Sequence, residues 1–493
     1  MSRHNRLWWV VIALGAMLAP SSAHAVDETL LPRDSWFIIS IGGTECGWLH
    51  ERVEVSGDRV QTFNEMRMTI GRAGATSTVQ AMWRFVEAGD GTPVECIVEQ
   101  DSGAEKSRAK YRFSPSEVVV EESAGGRTKS RVMESPTGKW LTPGQVERHV
   151  NAKRKEGATE IRYTTVDPSS GMSVVEMTST RIGEGEGQTT RWRTANSAVA
   201  LLTEEDVDAT GRIVISRTKI ALGDMVARIA TESRAKKAGV GGTIDLIDRS
   251  MVSLTKPVPE LLLAKHARLA VRSSDVGALS LPDAGAQRIT TNPAGGLFAD
   301  IESGRSSPAT PEDLADSRYL ASTILIDADD PAVKSLATRA LKSAGLVESS
   351  ATNERAEALR AFVMRYIVHK DLATAFAGAS AVAKSKAGDC SEHAILLAGL
   401  LRAQHIPARV ASGLVYAEEF GGRRNVFAWH MWTQAQIEGA WVDLDATLAS
   451  SLFHPGHLLI ATSAQDDAQL DSDFSALLGT IGNISIEVVD VDR

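Results

Sequence analysis

Cysteine is scarce. The 493-residue chain has three, Cys46, Cys96 and Cys390, which excludes a disulfide-rich scaffold and any zinc site built from cysteine alone. A basic excess is also missing: Lys and Arg total 53 against 62 Asp and Glu, for a net charge of −9. Phosphate backbones are held by a positive field, so nucleic acid is not an expected partner. After the N-terminal segment no stretch stays apolar for the roughly 18 residues of a membrane helix, and no fixed-period repeat is present. The remaining composition, 43% hydrophobic and 23% charged, is that of a packed protein rather than a disordered or collagenous one. Its length implies about three domains.

The first 25 residues have the layout of an export signal. Arg3 and Arg6 give a basic start, Leu7 to Ala19 is a short apolar core, and Ala23-His24-Ala25 is a small-x-small cleavage site. Cleavage after Ala25 is expected, leaving a mature chain that starts at Val26 and is periplasmic or secreted, with no membrane span after signal removal. Val26 is not Cys, so a lipoprotein anchor is excluded, and the two arginines are not adjacent as twin-arginine export requires. Export implies folding in an oxidising compartment.

Residues 26–235 read as an antiparallel β domain. Val79, Ala81, Trp83 and Phe85 alternate with Gln80, Met82 and Arg84, the period of a half-buried strand. Turn signals recur at Ser56-Gly57-Asp58, Gly89-Asp90-Gly91, Asp167–Gly171 and Asp208–Gly211. The runs 160–166 and 172–180 flank one of them as a hairpin. A long meander is expected, as one curved sheet or a sandwich. Cys46 and Cys96 would then have two strands between them, which favours two buried free thiols over a disulfide that the oxidising compartment would otherwise allow. Residues 236–305 read as a small β segment, with a Ser/Pro/acid-rich linker beginning near Ile301.

Helical patterning starts beyond it, in a domain over 306–493. Asp330 is an N-cap with Pro331 behind it, Val333, Leu336, Ala337, Ala340 and Leu341 share a face, and Gly345 is a stop. Leu359, Phe362, Val363 and Tyr366 mark a second helix. A third runs from Cys390 to about Gln404, with Ala394, Leu397, Ala398 and Leu401 on its apolar stripe. Strands follow at 408–417, 425–437 and 440–445. Helices followed by a sheet make this part α+β.

One constellation there carries chemistry. Cys390 begins a helix, where the positive end of the macrodipole favours a thiolate and can lower its pKa from about 8.5 toward 3.5–7.5. The same backbone N–H groups suit an oxyanion. His430 lies within a strand and Asp445 ends the next. If Glu438-Gly439 is a two-residue turn, Ile437 faces Ala440, Trp432 faces Asp445, and His430 and Asp445 become diagonal neighbours on one face. Asp443 shares that face, two residues further from His430. A one-residue slip would separate His430 from Asp445. Nucleophile, base and orienter are the parts of a thiol catalytic triad.

At these residues the chain resembles the transglutaminase-like superfamily of papain-type thiol enzymes. The matching stretches are Gly388-Asp389-Cys390-Ser391-Glu392-His393-Ala394, Leu400-Leu401-Arg402-Ala403, Ile406–Val410, His430-Met431-Trp432 and Trp441–Thr447, within residues 355–465. Ala446 departs from the Pro that many members carry after the Asp. The resemblance implies an α+β multidomain protein in which a β-sheet region precedes a papain-type catalytic domain. It also implies acyl transfer from an amide, with Cys390 attacking, His430 moving the proton and Asp445 orienting His430. A protein or peptide substrate follows. The acceptor stays open between water and an amine, with hydrolysis favoured.

No cofactor or metal is expected. His393 is one turn from Cys390 but His405 lies about four turns further along the helix, out of reach of a shared ion. His393 reads as a helix-surface or supporting residue. Asp327, Asp329 and Asp330 lack the Gly and Glu of a calcium loop. Asp206–Thr210 nearly repeats Asp443–Thr447 but reads as a turn. Trp429, Trp432 and Trp441 suit either a cleft wall or a core, and Glu418–Asn425 reads as a polar loop. The competing function is a binding or assembly protein, in which the β region holds a partner and the triad is vestigial.

Overall fold

A computed structural model describes residues 32–492, apart from 73–74, 102–105, 125–126, 169–170, 198, 221–222, 242–243, 246–250, 274–278, 324, 371–376 and 466–483. The expected export signal at 1–25 lies outside the described residues. No helix among them is long and apolar enough to cross a membrane. The chain divides into two compact units, one ending at Ile244 and the other starting at Asp245.

The first unit is one antiparallel sheet rather than a sandwich. Eight strands follow one another from β1 (Arg33–Ile41) and β2 (Thr44–Ser56) through β3 (Arg59–Arg72), β4 (Ala75–Ala88), β5 (Pro93–Asp101), β6 (Lys106–Phe113) and β7 (Glu117–Ala124) to β8 (Arg127–Glu134). Six more run from β9 (Glu160–Asp167) and β10 (Ser173–Glu184) through β11 (Thr190–Asn196), β12 (Val199–Val207) and β13 (Ile213–Ile220) to β14 (Gly223–Ala230). Within each run every strand pairs with its neighbour in sequence, and β1 pairs with β14, so the two meanders join through the first strand and the fourteenth, with β8 and β9 at the two ends. The 160–166 and 172–180 hairpin is present, with Thr165 opposite Val175. Trp83, Phe85, Cys96, Tyr111, Val118 and Val120 form a hydrophobic cluster on one face. Cys46 and Cys96 are buried thiols not joined by a disulfide, on β2 and β5 with β3 and β4 between them.

Two helices interrupt what the sequence pattern presents as continuous strand. α1 (Pro143–Lys155) joins β8 to β9, and α2 (Glu232–Gly241) follows β14. Signals for α1 exist locally: Pro143 at its first turn, Gln145 accepting from Thr142 N at 3.1 Å, and buried Val146 and Val150 one turn apart. Strand turns on either side mask so short an amphipathic stretch. Asp206, in the segment that mimics Asp443–Thr447, pairs with Arg191 and Arg217, and Asp208 caps the turn by accepting from Thr210 N at 2.8 Å.

The first sheet also takes in β15 (Ile244–Asp245), paired with β3. The second unit has three layers. In it β16 (Val252–Ser253) is followed by β17 (His266–Ser273), β18 (Gln287–Thr291) and β19 (Leu297–Glu302). These last three form a four-stranded sheet with the C-terminal β25 (Ile484–Asp492), ordered β18-β19-β17-β25. The segment from Ile301 is not a free linker. Ile301 is buried in β19, β20 (Ser307–Pro308) pairs with β23 (Ala440–Leu444), and Thr310 caps α3 (Pro311–Ala315). The central sheet is β20-β23-β22-β21-β24, with β16 also paired to β22, where β21 is Ala408–Phe420, β22 is Arg423–Ile437 and β24 is His457–Ser463.

Helices α4 (Pro331–Ser343), α5 (Thr352–Tyr366), α6 (Ala379–Ser385) and α7 (Cys390–Ala403) cover one side of that sheet. Val333, Leu336, Leu359, Val363, Leu397 and Leu401 pack there against Met431 and Ala435. The four-stranded sheet covers the other side, where Leu269, Val271 and Ile301 meet Leu414, Trp432 and Leu458. Asp330 caps α4 by accepting from Ala332 N at 2.8 Å, and Gly345 follows with φ 71°. The 418–425 stretch is not a loop. Gly421 and Gly422 take φ 58° and 78° and close β21 onto β22 in two residues, with Phe420 opposite Arg423.

Candidate active site

Cys390 is the first residue of α7, and the four residues around it explain why the helix starts there. Asp389 is the N-cap: its Oδ1 accepts from Ser391 N at 2.8 Å and from Ser391 Oγ at 2.6 Å. Glu392 reaches back in a capping box, accepting from Asp389 N at 3.0 Å and from Ala377 N at 2.9 Å. A Cβ on Gly388 would sit 2.3 Å from Glu392 Cβ, so only glycine allows this close return. Burial, then the neighbouring Asp389 charge, pushes the Glu392 carboxyl up to about 8. Cys390 itself is only partly buried.

His430 and Asp445 come from the next two strands in the expected register. Glu438 and Gly439 both take positive φ, 51° and 78°, and form the two-residue turn. Ile437 faces Ala440, Gln434 faces Asp443 and Thr433 faces Leu444. Asp445 follows one residue after β23, and its Oδ2 lies 2.7 Å from His430 Nε2. Its Oδ1 accepts from Thr447 N and Thr447 Oγ1, each at 2.7 Å. The Cys390 side chain is hydrogen-bonded to the same imidazole. With Nε2 engaged by Asp445, Nδ1 is the ring nitrogen left for sulfur. The structure thus brings Cys390, His430 and Asp445 together in series.

Their electrostatics are coupled. Burial opposes a charge on His430, but the Asp445 carboxylate and the Cys390 sulfur outweigh it and raise the imidazole to about 10. Burial likewise opposes the Asp445 charge, yet His430 and His457 hold its carboxyl well below the usual range. A carboxylate that orients a protonated imidazole beside a thiol is chemically able to hold sulfur as an anion and to return a proton.

Asp443 has a different task. It accepts from Trp432 Nε1 at 2.7 Å, Gln434 Nε2 at 2.8 Å and Ala286 N at 2.7 Å, tying the central sheet to the segment before β18. Trp432 and Trp441 are core residues; Trp441 stacks edge-on to Tyr319 and lies under the Arg409 guanidinium.

Two features escape sequence reasoning. His457, the first residue of β24, places Nε2 3.1 Å from Asp445 Oδ2. Its link to Asp445 spans β21 and β22, and a bulge in the β21–β24 register at Ser412/Gly413 helps set where β24 lies. No local pattern reports such a pairing. Of the two readings of His393 the supporting one agrees with the structure and the helix-surface one does not; its partner Lys370 is what the sequence does not show. His393 is buried, with Nδ1 2.6 Å from Asp389 O and Nε2 2.7 Å from Lys370 Nζ, and burial, aided by the Lys370 charge, lowers it to about 4. His393 is thus a neutral acceptor for Lys370, while His405 is exposed after the helix end. The donor atoms of His430, Asp445 and His457 lie within 4.8 Å of one another. Two donors on a tetrahedral zinc sit about 3.3 Å apart, so the 2.7 Å contact is a hydrogen bond and not the spacing of a metal cage.

The comparisons with known proteins bear on this unit. The family model described as "Transglutaminase-like superfamily" matches residues 340–446, from the end of α4 through Cys390 and His430 to one residue past Asp445. A solved structure described as a "Putative Cysteine Protease" from Cytophaga hutchinsonii is 17% identical, with a TM-score of 0.28 over 46% of this chain and 86% of its own. Another, a "putative protease" from Parabacteroides distasonis, is 12% identical, with a TM-score of 0.19 over 79% of this chain and 69% of its own. No curated protein sequence matches the chain. Within its second unit, between residues 340 and 446, the chain carries a domain of the transglutaminase-like superfamily.

Proposed function

We propose that this chain is a thiol enzyme that transfers an acyl group from an amide or peptide bond through Cys390, His430 and Asp445, with water as the favoured acceptor. The observation that carries the reading is the hydrogen-bonded series of sulfur, imidazole and carboxylate at the N-terminus of α7. Cys390 sulfur attacks the amide carbonyl and forms a C–S bond. The resulting oxyanion is met by backbone N–H groups of the first helical turn. The His430 imidazolium gives its proton to the leaving nitrogen as the C–N bond breaks, leaving a thioester. His430 then takes a proton from water, which attacks the thioester, releases the acid and restores the thiol–imidazole pair. An amine in place of water would give transamidation. The basic start, apolar core and Ala-His-Ala site at the N-terminus support a place of action outside the cytoplasm, and the amide chemistry points to protein or peptide substrates.

The test uses the selectivity that burial creates. Cys46 and Cys96 are fully buried, and burial raises the Cys96 thiol well above its usual value. One equivalent of iodoacetamide should therefore label Cys390 in the folded protein and abolish amide cleavage. Cys390→Ala should be inert on a peptide library that the wild type cleaves, with products ending in free acids. Full activity in Cys390→Ala would sink the proposal. An unreactive Cys390 in folded protein would turn the reading toward a binding protein.

A further inference from the structure

Asp445 serves two histidines, and the second one has no part in the steps above. His457 is buried, with Nε2 3.1 Å from Asp445 Oδ2 and Nδ1 2.9 Å from the carbonyl oxygen of His454. A neutral imidazole has one N–H and one bare nitrogen. A backbone carbonyl can only accept, and an ionised carboxylate can only accept. Both ring nitrogens of His457 therefore face acceptors, and both contacts are satisfied together only when both nitrogens carry protons.

The neighbours agree with a cation at this position. His454, with its ring centroid 4.3 Å away, receives Gly456 N–H at its Nδ1 at 3.2 Å, as a neutral imidazole does. Burial, and then the His457 charge, lower His454 to about 3. Around the His457 ring stand Asp445 after β23, His430 on β22 with ring centroids 5.6 Å apart, and His454 in the turn before β24. Trp432 and Phe453 fill the rest at 5.3 and 4.1 Å. Three further charged or titratable groups lie at this site: Asp443 within electrostatic reach of His457, Lys370 within reach of Asp445, and Arg360, whose guanidinium donates to the Asp445 carbonyl oxygen at 3.1 Å.

We infer that His457 is a positioning residue held as an imidazolium by its two acceptors, the fourth member of a hydrogen-bonded series Cys390–His430–Asp445–His457. It donates to the same Asp445 oxygen that His430 engages, so it fixes that carboxylate, and its charge favours the thiolate. The inference rests on the triad reading above. Its test reads the protonation of Cys390 and not activity alone. The rate of iodoacetamide alkylation of Cys390 is followed against pH in the full-length wild type, His457→Gln, His457→Leu and His430→Ala. Glutamine keeps a donor toward Asp445 but no charge. The half-maximal pH should rise by about half a unit or more in His457→Gln and further in His457→Leu. kcat should fall about tenfold or more with KM little changed. Profiles identical to wild type in both His457 variants, with a shift in His430→Ala, would overturn the role of His457 and leave the triad standing. No shift in any variant would remove the triad itself. Histidine 15N spectra of the wild type at neutral pH give a direct readout that needs no variant: both His457 nitrogens protonated supports the proposal, and one bare nitrogen overturns it.

Discussion

Asp445→Asn is expected to lower kcat about a thousandfold or more, although the substitution changes no shape. The side chain lies between two imidazole Nε2 atoms at 2.7 and 3.1 Å. Its other oxygen accepts from Thr447 N and Oγ1. An asparagine can keep its carbonyl oxygen toward Thr447 only by turning its NH2 toward the two histidines. That places donors against donors. His430 would then have to present a bare Nε2 and move its proton to Nδ1, the nitrogen needed for sulfur. The imidazolium that the carboxylate sustains to a pH of about 10 would be lost at neutral pH. Removing one partner of a buried charged set also costs about 3–5 kcal/mol, so melting should move down by several degrees while circular dichroism stays native. Amide cleavage within tenfold of wild type, at matched folded fraction, would refute this role for Asp445.

The second large effect lies in the other unit and concerns stability. Glu51 on β2 is buried directly opposite Ser35 of β1. Burial raises its carboxyl to about 8; Arg33 and Arg212 pull it down, while Glu147 and Glu205 push it up. Burial also raises Glu205, to about 7, and raises Glu147 despite its 2.9 Å pairing with Arg33. The folded protein thus holds protons that the unfolded chain releases near 4.5. Stability is therefore full below about pH 4.5 for this term and declines as pH rises toward 8. Melting should occur several degrees lower at pH 9 than at pH 5.5. Glu51→Gln keeps the shape without the charge. Its melting temperature should exceed wild type at pH 9 and match it near pH 5. A variant that melts no higher than wild type at pH 9 would show that Glu51 is not the group responsible.

How much of this was legible before the tertiary structure varied with the range of the interaction. The Cys390 helix start was readable because its determinants are neighbours: Gly388, the Asp389 cap and the Glu392 return lie within five residues. The His430–Asp445 contact was readable because a two-residue turn transmits register without loss, so parity alone places both on one face. The same logic placed Asp443 on that face but could not tell its partners. Gln434 and Trp432 are local, whereas Ala286 N comes from a distant segment. α1 was missed because a 13-residue helix lay among strands whose alternation dominated the pattern. Lys370 and His393 were not paired in advance, since a contact between a loop and a helix face has no period.

From its residues alone this chain dictates a strand-rich first part, a helix that opens on a cysteine, and a histidine and an aspartate brought side by side by a hairpin. Each follows from propensities, caps and turns acting over a few residues. The folded protein alone decides that β17 pairs with the C-terminal β25, that the 301–316 stretch joins the central sheet, and that His457 arrives beside Asp445. Those outcomes depend on which strands bury which faces together. That choice is made by the packing of a three-layer core across more than 200 residues of chain, and no short stretch contains it.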